Sequence, residues 1–333
     1  MFANARSAPV PSKVSALGAA IAAAILLGGT AAPASAQTYP TRPVKLVVGF
    51  LAGGPTDIPA RFIADRLSVQ LGQKVYVENK PGAGGMIALN DVLAQPADGY
   101  SLSFCTYFDA INTLLYKNVS YKIADIAPVT LVSKYYYLMA LAKSVPVDTF
   151  KEFVGYSKAH PGDILYGTVG AGSTQELVAH ELEKTAGIQM TKVPFKGANQ
   201  ITQEMLAGRV HFQVGPPIAI GSFYQSGKLK VLATTSPQRL RSFPDIPSLT
   251  ELGYPLTPYG WLGVCAKGGT PKPIVDLLNR HIVSIVQSDE YRQFLEKAGN
   301  MPVSDTPEEF GKVIAGTVND AAPYIREFHM QIQ

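Results

Sequence analysis

The chain of 333 residues is 47% hydrophobic and 16% charged, and its formal net charge at pH 7 is +4. A chain of this length can form two lobes, each with its own core. The charge is too small and too dispersed for a nucleic-acid-binding protein, so no nucleic-acid partner is expected. Two cysteines are too few for a disulfide-rich scaffold.

The first 36 residues have the layout of a secretory signal peptide. Arg6 and Lys13 precede the apolar stretch 16–29, which is shorter than the roughly 20 residues of a membrane-spanning helix. The triplet Ala-Ser-Ala that ends at Ala36 is a small-residue cleavage pattern. We therefore predict cleavage after Ala36 and export to the periplasm. Loss of two basic residues and no acidic residue would lower the net charge from +4 to +2.

Cys105 and Cys265 leave two possibilities open. In an oxidising compartment the two thiols could form a disulfide bond. The sequence favours the other possibility, in which both are small buried residues on apolar strands.

Strand-like and helix-like patterns alternate along the mature chain. The first third predicts strands over 44–50, 74–79 and 101–106, with helices over about 57–72 and 86–95 between them. Thr56 or Asp57 is placed to cap the first of these helices. The same alternation returns between 148 and 236, and the tail from Pro271 is helical. This order predicts an α/β protein with largely parallel sheets.

Sequence motifs of common enzyme classes are absent. The chain contains no G-x-x-x-x-G-K-[ST], no G-x-G-x-x-G, no H-E-x-x-H, no C-x-x-C and no G-x-S-x-G. We therefore expect no cofactor, no metal and no enzymatic activity. A catalytic triad assembled from distant residues would escape such a search, so an exported hydrolase stays open as an alternative.

Several glycine-rich turns lie where a predicted strand is followed by a predicted helix. Each turn taken alone is explained as a tight connection. Together they place several helix N-termini beyond the carboxyl ends of strands, which is where open α/β sheets bind ligands. Unpaired N–H groups and the positive end of the helix dipole can hold a carboxylate there without lysine or arginine.

Long stretches of the mature chain follow a known pattern. They include YPTRPVKLVVGFLAGGPTDIPARFIADRLSVQLGQKVYVENKPGAGG, PADGYSL, FVGYSKAHPGDILYGTVGAGSTQELVAHEL, VPFKGANQITQEMLAGRVHFQVG, LKVLATTSPQRLRSFPDIPSLTELGY and GWLGVCAKGGTPKPIVDLLN. In this order they resemble the Bug family of exported solute receptors, the substrate-binding components of tripartite tricarboxylate transporters. One departure is GFLAGG at 49–54, where the family commonly has PFPPGG.

The resemblance implies a two-lobed periplasmic binding protein of type II, a Venus-flytrap clamshell. Lobe 1 would comprise 37–142 with 259–333, and lobe 2 would comprise 143–258. The implied function is capture of a small organic carboxylate and its delivery, by a monomeric receptor, to the permease subunits of the transporter. A receptor that reports its ligand to a signalling partner would use the same clamshell and stays open.

The resemblance also implies which turns contact the ligand. The first-lobe loop supplies Leu51, Ala52, Gly53, Gly54, Thr56 and Asp57, and the following turn supplies Gly84 and Gly85. The second-lobe loop supplies Gly170, Ala171, Gly172, Ser173 and Thr174, and the next wall runs from Lys196 and Gly197 to Asn199. Ser173 and Glu176 also form an S-x-x-E capping box, which explains Ser173 without a ligand. Asp57 is interpreted as a helix cap, or as an indirect contact through water.

Aromatic residues stand at two places where the family is mostly aliphatic. Tyr107 and Phe108 follow the third predicted strand, and the run 135–137 contains three tyrosines at the first crossing between lobes. Tyr107, Phe108, Tyr135, Tyr136 and Tyr137 could line the cleft, but successive strand residues face opposite sides, so not all of 135–137 can do so. We predict Tyr107, Phe108 and Tyr136 there. The alternative is that these rings pack the hinge. Such a wall would favour an aromatic or elongated mono- or dicarboxylate over compact citrate.

Overall fold

The computed structural model describes Met1 and residues 39–331. Apart from Met1, the predicted signal peptide and its cleavage site lie outside the described residues. The chain divides into a short N-terminal unit, Met1–Thr41, and a large unit, Arg42–Gln333. In the short unit the Tyr39–Pro40 peptide bond is cis. Within Met1 and 39–331, no helix combines the length and the apolar character that a membrane span requires.

The large unit contains two β-sheets. The first is built from β1 (Val44–Val48), β2 (Val75–Asn79), β3 (Ser101–Thr106), β4 (Ile126–Tyr136), β10 (Tyr259–Lys267) and β11 (Met301–Pro302), in the order β11-β4-β10-β3-β1-β2. β1 pairs in parallel with β2 and β3, whereas β10 runs antiparallel to β3 and β4. All residues of β3 are buried, as expected where helices cover both faces of a sheet.

The second sheet is built from β5 (Leu138–Ala142), β6 (Leu165–Thr168), β7 (Thr191–Pro194), β8 (Phe212–Gly215) and β9 (Leu229–Thr234), in the order β7-β6-β8-β5-β9. β6 is parallel to β7 and β8, and β5 is antiparallel to β8 and β9. Its core includes Phe153 stacked on Phe212, with ring centroids 5.0 Å apart. The two sheets with their helices confirm the predicted two-lobed α/β fold.

Helices connect the strands in both lobes. The first lobe has α1 (Asp57–Leu71), α2 (Met86–Leu93), α3 (Tyr107–Leu115), α8 (Lys272–Val286), α9 (Asp289–Lys297) and α10 (Pro307–Glu327). The second has α4 (Phe150–Ala159), α5 (Thr174–Ala186), α6 (Ala198–Leu206) and α7 (Pro217–Gln225). α3 was not predicted, although Thr106 and Asp109 form a capping box at its start. The apolar residues of α3 directly follow those of the buried strand β3. Periodicity alone does not show where the strand ends and the helix begins.

The chain first crosses between the sheets at Tyr137. β4 ends at Tyr136 and β5 begins at Leu138, so the assignment of 138–142 to lobe 1 is wrong. These residues pair with β8 and β9 in the second sheet. The sequence hides the boundary because one continuous apolar run serves both sheets. The return crossing leads into β10, which begins at Tyr259, the residue from which lobe 1 was predicted to resume.

The cysteines form a disulfide bond, so the favoured expectation of two free buried thiols is wrong. β3 and β10 are antiparallel neighbours, and the Cα atoms of Cys105 and Cys265 are 6.0 Å apart. That separation lies in the usual range for disulfides. The expectation failed because the sequence does not reveal that these two strands, from opposite ends of the chain, lie side by side.

Contacts away from the two chain crossings also join the two lobes. At the C-terminus, the Phe328 ring stacks on His180 of α5 with centroids 5.1 Å apart, and Glu327 forms an ion pair with Lys184. Near the start of α5, a Cβ added to Gly172 would lie 2.3 Å from Leu115 Cδ2 at the end of α3. The lobes therefore meet on the side of the molecule where α5 and α10 lie.

Candidate ligand-binding site

A narrow cavity of about 50 Å³, which we call the cleft cavity, lies between the two sheets. The first lobe lines it with Phe50, Leu51, Gly54, Pro55, Thr56, Thr106, Tyr107, Phe108 and Tyr135, and the second with Val169, Gln175, Gly197, Ala198, Asn199 and Pro216. Most of these residues follow the carboxyl ends of β1, β3, β6, β7 and β8. The strand orders β2-β1-β3 and β7-β6-β8 each contain a topological switch point, where open α/β sheets bind ligands.

Several helices begin at the cleft cavity. α3 and α5 are capped by the hydroxyl oxygens of Thr106 and Ser173, which accept hydrogen bonds from backbone N–H groups of their own helices. α1 and α6 have no side-chain cap. Gly54, Pro55 and Thr56, just before α1, line the cavity, as do Ala198 and Asn199 in the first turn of α6. The Ile58 N–H of α1 already donates to the Gly54 carbonyl at 3.1 Å, and Pro59 has no N–H. Uncapped helix N-termini from the two lobes thus meet at one cavity, an arrangement suited to an anion.

The loop before α1 is shaped by Asp57. Its carboxylate accepts hydrogen bonds from the Gly53 N–H at 2.8 Å, Arg61 Nε at 2.7 Å and Asn79 Nδ2 at 2.8 Å. Asn79 Nδ2 also donates to the Phe50 carbonyl at 3.0 Å. Burial opposes ionisation of Asp57, but these donors and the Arg61 charge hold its pKa below the usual value.

Asp57 therefore closes the loop instead of presenting a charge to the cavity. The predicted cap by Thr56 or Asp57 is wrong, because the Thr56 side chain makes no cap hydrogen bond and the Asp57 carboxylate accepts from the Gly53 N–H of the preceding loop. Ala52 and Gly53 are exposed and do not line the cavity, whereas Leu51, Gly54 and Thr56 do. Arg61 and Asn79 were missed by the sequence analysis, because their role depends on the distance between the ends of β1 and β2.

No charged side chain lines the cleft cavity among its described residues. The polar lining comes from Thr56, Thr106, Gln175, Asn199 and two tyrosines. Asn199 Oδ1 is buried and has no hydrogen-bond partner within the described part of the chain. Since a buried polar atom without a partner costs free energy, this oxygen is a candidate to accept a hydrogen bond from a ligand O–H or N–H group. A ligand anion must therefore be held by neutral side chains and backbone N–H groups.

Tyr107, Phe108 and Tyr135 form the aromatic wall of the cleft cavity. Tyr135 lies across Gly260, where an added Cβ would be 2.3 Å from the ring carbon Cζ. Burial raises the pKa values of Tyr107 and Tyr135 well above their usual range, so both hydroxyl groups stay protonated and can donate hydrogen bonds.

Tyr136, which was predicted to line the cleft, does not line this cavity. It contacts Tyr259, with ring centroids 6.3 Å apart, and Lys134, whose Nζ is 5.4 Å from its ring centroid. Tyr137 is 3% exposed in the core of the second lobe. Strand alternation at the end of β4 directs Tyr135 and Tyr136 to opposite sides.

The second-lobe loop 170–174 lies beside the cavity but does not line it. The Gly172 N–H donates to Glu176 Oε2 at 2.9 Å. Ser173 Oγ accepts from the Glu176 N–H at 3.2 Å and bonds Thr168 Oγ1 at 2.8 Å, which confirms its predicted capping role. Gly170, Ala171 and Thr174 also make no part of the lining. The neighbouring residues Val169 and Gln175, not named from the sequence, take this place.

Of the remaining predicted residues, one lines the cleft cavity and the others do not. Gly197 lines the cavity, and a Cβ on it would lie 3.4 Å from Leu51 Cδ1 of the other lobe. Lys196 is exposed and does not line the cavity. Gly84 and Gly85 lie behind its wall, since a Cβ on Gly84 would be 3.3 Å from Phe108 and one on Gly85 would be 3.7 Å from Phe50. These two glycines therefore support the aromatic side of the cavity.

Two α/β lobes joined by two crossings, with helix N-termini converging on a cavity between them, define a two-lobed solute-binding protein. The model of the tripartite tricarboxylate transporter family receptor matches residues 59–330. This chain belongs to that family, and the resemblance to the Bug receptors is confirmed. The family consists of periplasmic binding proteins that serve as transporter receptors.

Individual relatives cover nearly the whole chain. Protein BugT from Bordetella pertussis is 33% identical over 307 residues, which are 91% of this chain and 94% of the relative. The structure of R. palustris Rpa4515 with adipate is 31% identical with a TM-score of 0.83, covering 86% of this chain and 97% of that one. MatC (Rpa3494) from Rhodopseudomonas palustris with bound malate is 27% identical with a TM-score of 0.81, covering 86% and 100%.

Proposed function

We propose that this chain captures one organic carboxylate between its lobes and delivers it to the membrane permease of a tripartite tricarboxylate transporter. The observation that carries the proposal is the meeting of two uncapped helix N-termini, α1 from the first lobe and α6 from the second, at one cavity. An anion between them would complete hydrogen bonds in both lobes at once. Binding would therefore favour the closed arrangement of the lobes.

The carboxylate end of the ligand would be held by backbone N–H groups at the start of α6 and at the junction of Thr56 with α1, with the Thr56 hydroxyl beside them. The part of the ligand next to the carboxylate would contact Tyr107, Phe108 and Tyr135. Relatives with bound adipate and malate support a carboxylate as the ligand class. The aromatic wall favours an aromatic or elongated body over a compact one.

The proposal includes export and binding without turnover. Cleavage after Ala36 would release a mature receptor to the periplasm, where it acts as a monomer. None of the described residues that line the cleft cavity is a histidine, a carboxylate or a cysteine, so the cavity has no evident general base or strong nucleophile. The ligand would leave chemically unchanged when the lobes open.

A thermal-shift screen of organic acids with the mature protein tests the proposal. A ligand at about a thousandfold its dissociation constant should stabilise the protein by about 4 kcal/mol. Gly197→Leu should remove this shift, because a side chain there points at Leu51 across the cleft. Gly155→Leu is the matched control, since a Cβ on Gly155 meets no atom within 4 Å.

Chromatography of the acids after incubation should recover each one unchanged. The proposal fails if no carboxylate stabilises the protein, if both glycine variants respond equally, or if a product appears.

A further inference from the structure

A second cavity of about 350 Å³ lies between the lobes, next to the cleft cavity. The second lobe and the return crossing line it with Thr174, Leu177, Val178, Glu181 and Pro255–Pro258, and the first lobe with Tyr107, Tyr259, Trp261, Thr317, Asp320, Ala321 and Tyr324. Tyr107 is the residue that the two linings share. The Tyr107 side chain therefore stands between the two spaces.

The sizes of the two cavities are complementary. The cleft cavity has room for a carboxylate group or roughly one or two water molecules. Pockets that bury small organic ligands usually measure about 300–1,000 Å³. Since both cavities are bounded by both lobes, parting of the lobes or rotation of Tyr107 would join them. A ligand anchored in the cleft cavity then has space for its tail in the second cavity.

The charges of the second cavity are of one sign. Glu181 on α5 and Asp320 on α10 are its charged lining residues among those described, and both are acidic. Burial raises the pKa values of Tyr107 and Tyr259, and the Asp320 charge adds to both increases, so its field reaches two walls of the cavity. Lys134 lies 3.8 Å from the centroid of the Tyr259 ring but does not line the cavity.

One buried polar side chain also lines the second cavity. Thr174 is 3% exposed and interacts with the hydroxyl groups of Tyr107 and Tyr137. The other lining groups are mainly aliphatic or aromatic. A tail in this space would thus meet largely apolar walls, the buried hydroxyl groups of Thr174 and Thr317, and two carboxylates at the rim.

We infer that the receptor selects monocarboxylates whose elongated tail is apolar or positively charged at its far end, and that Glu181 and Asp320 reject a second carboxylate there. This inference rests on the proposed function, because it requires the carboxylate anchor in the cleft cavity. It assigns the second cavity as the tail subsite and Tyr107 as the residue between anchor and tail.

Calorimetry with three acids that share a six-carbon chain tests the inference in the mature protein. Hexanoate, 6-aminohexanoate and adipate differ at the far end, which is uncharged, positive or negative. We expect adipate to bind about three- to tenfold more weakly than the other two, since partly exposed charge pairs have modest energies. Butanoate, which lacks two methylenes of hexanoate, should bind about tenfold more weakly than hexanoate.

The double variant Glu181→Gln and Asp320→Asn keeps the shapes of both side chains and removes their charges. It should strengthen adipate binding about three- to tenfold and weaken 6-aminohexanoate binding by a similar factor. The affinity for hexanoate should stay within about twofold of the wild-type value. Circular dichroism and the melting temperature check that the variant is folded.

The outcomes separate this inference from the proposed function. Tightest binding of adipate by the wild type, or unchanged ratios among the three acids in the double variant, would overturn the inference. If Gly197→Leu still abolishes the binding of these acids, the proposed function stands. Failure of all three acids to bind also overturns the inference, and the wider acid screen then decides the proposed function separately.

Discussion

Cys105 on β3 is bonded to Cys265 on β10, although 160 residues separate them along the chain. The closed loop contains the whole second sheet and both crossings between the lobes. The bond therefore joins the two segments of the first lobe that flank the inserted second lobe. Both residues are at most 1% exposed, so the bond lies inside the first lobe.

Loss of this bond should destabilise the protein. Closing a loop of this length corresponds to about 5 kcal/mol in the chain-entropy model, whereas measured effects are commonly about 2–4 kcal/mol. Denaturant unfolding of the oxidised protein should thus be compared with that of protein reduced while unfolded and then refolded. The Cys105→Ala and Cys265→Ala double variant should not respond to reductant. Equal stability of oxidised and reduced wild type would contradict the prediction.

Asp57→Asn should loosen the first-lobe loop. The substitution removes a buried charged acceptor shared by Gly53, Arg61 and Asn79, and we expect a loss of about 1–3 kcal/mol in the free energy of unfolding. Because the folded pKa of Asp57 is lowered, its stabilisation is present above the unfolded pKa and disappears as pH falls through the folded pKa. The difference between wild type and variant should therefore shrink below about pH 4.

The measurement for Asp57 is urea unfolding at several pH values. Asp65→Asn is the control, since Asp65 is an exposed acid on the same helix. The prediction fails if the two variants lose equal stability, or if the Asp57→Asn deficit grows as the solution becomes more acidic.

Tyr135→Ala should weaken the binding of aromatic acids. Tyr135 lines the cleft cavity, and an aromatic pair contributes about 0.5–1.5 kcal/mol beyond area burial. We expect about a tenfold loss of affinity for a benzoate-type ligand, and preference of the wild type for such ligands over citrate and succinate. Tyr136→Ala is the matched control, because the adjacent ring packs on Tyr259 outside the cavity. Competition calorimetry measures both effects, and equal losses in the two variants would refute the assignment of Tyr135.

Gly172→Ala should impair closure of the lobes without touching the ligand. Gly172 and Gly170 both have positive φ angles, of 71° and 128°, so alanine strains the backbone at either position. Only at Gly172 would the added Cβ also meet Leu115 of the first lobe, at 2.3 Å. Gly170→Ala thus separates backbone strain from interlobe contact.

Small-angle scattering should show that saturating ligand reduces the radius of gyration of the wild type and of Gly170→Ala, but less so for Gly172→Ala. Affinity should fall most for Gly172→Ala. An unchanged wild-type profile at saturation would argue against a hinged clamp. Identical responses of the two glycine variants would argue against a closure contact at Gly172.

Much of the architecture follows from local patterns. The predicted strands Val44–Val48 and Ser101–Thr106 form and are largely buried, and the amphipathic segments between the strands are helices. The S-x-x-E pattern at Ser173 correctly predicted a helix cap, because capping is a local interaction. The alternation of these elements was sufficient to predict an α/β protein, and longer matching stretches identified the family.

Properties that depend on distant pairing were decided only by the tertiary structure. The disulfide requires β3 and β10 to be neighbours, and the boundary between lobes requires β5 to pair with β8. The lining of the cavity was partly mispredicted for the same reason: Val169 and Gln175 reach it, whereas Tyr136 and Gly172 do not. A sequence pattern specifies whether a segment forms a strand or a helix. The order and register of the strands in the sheet decide which partner each side chain contacts.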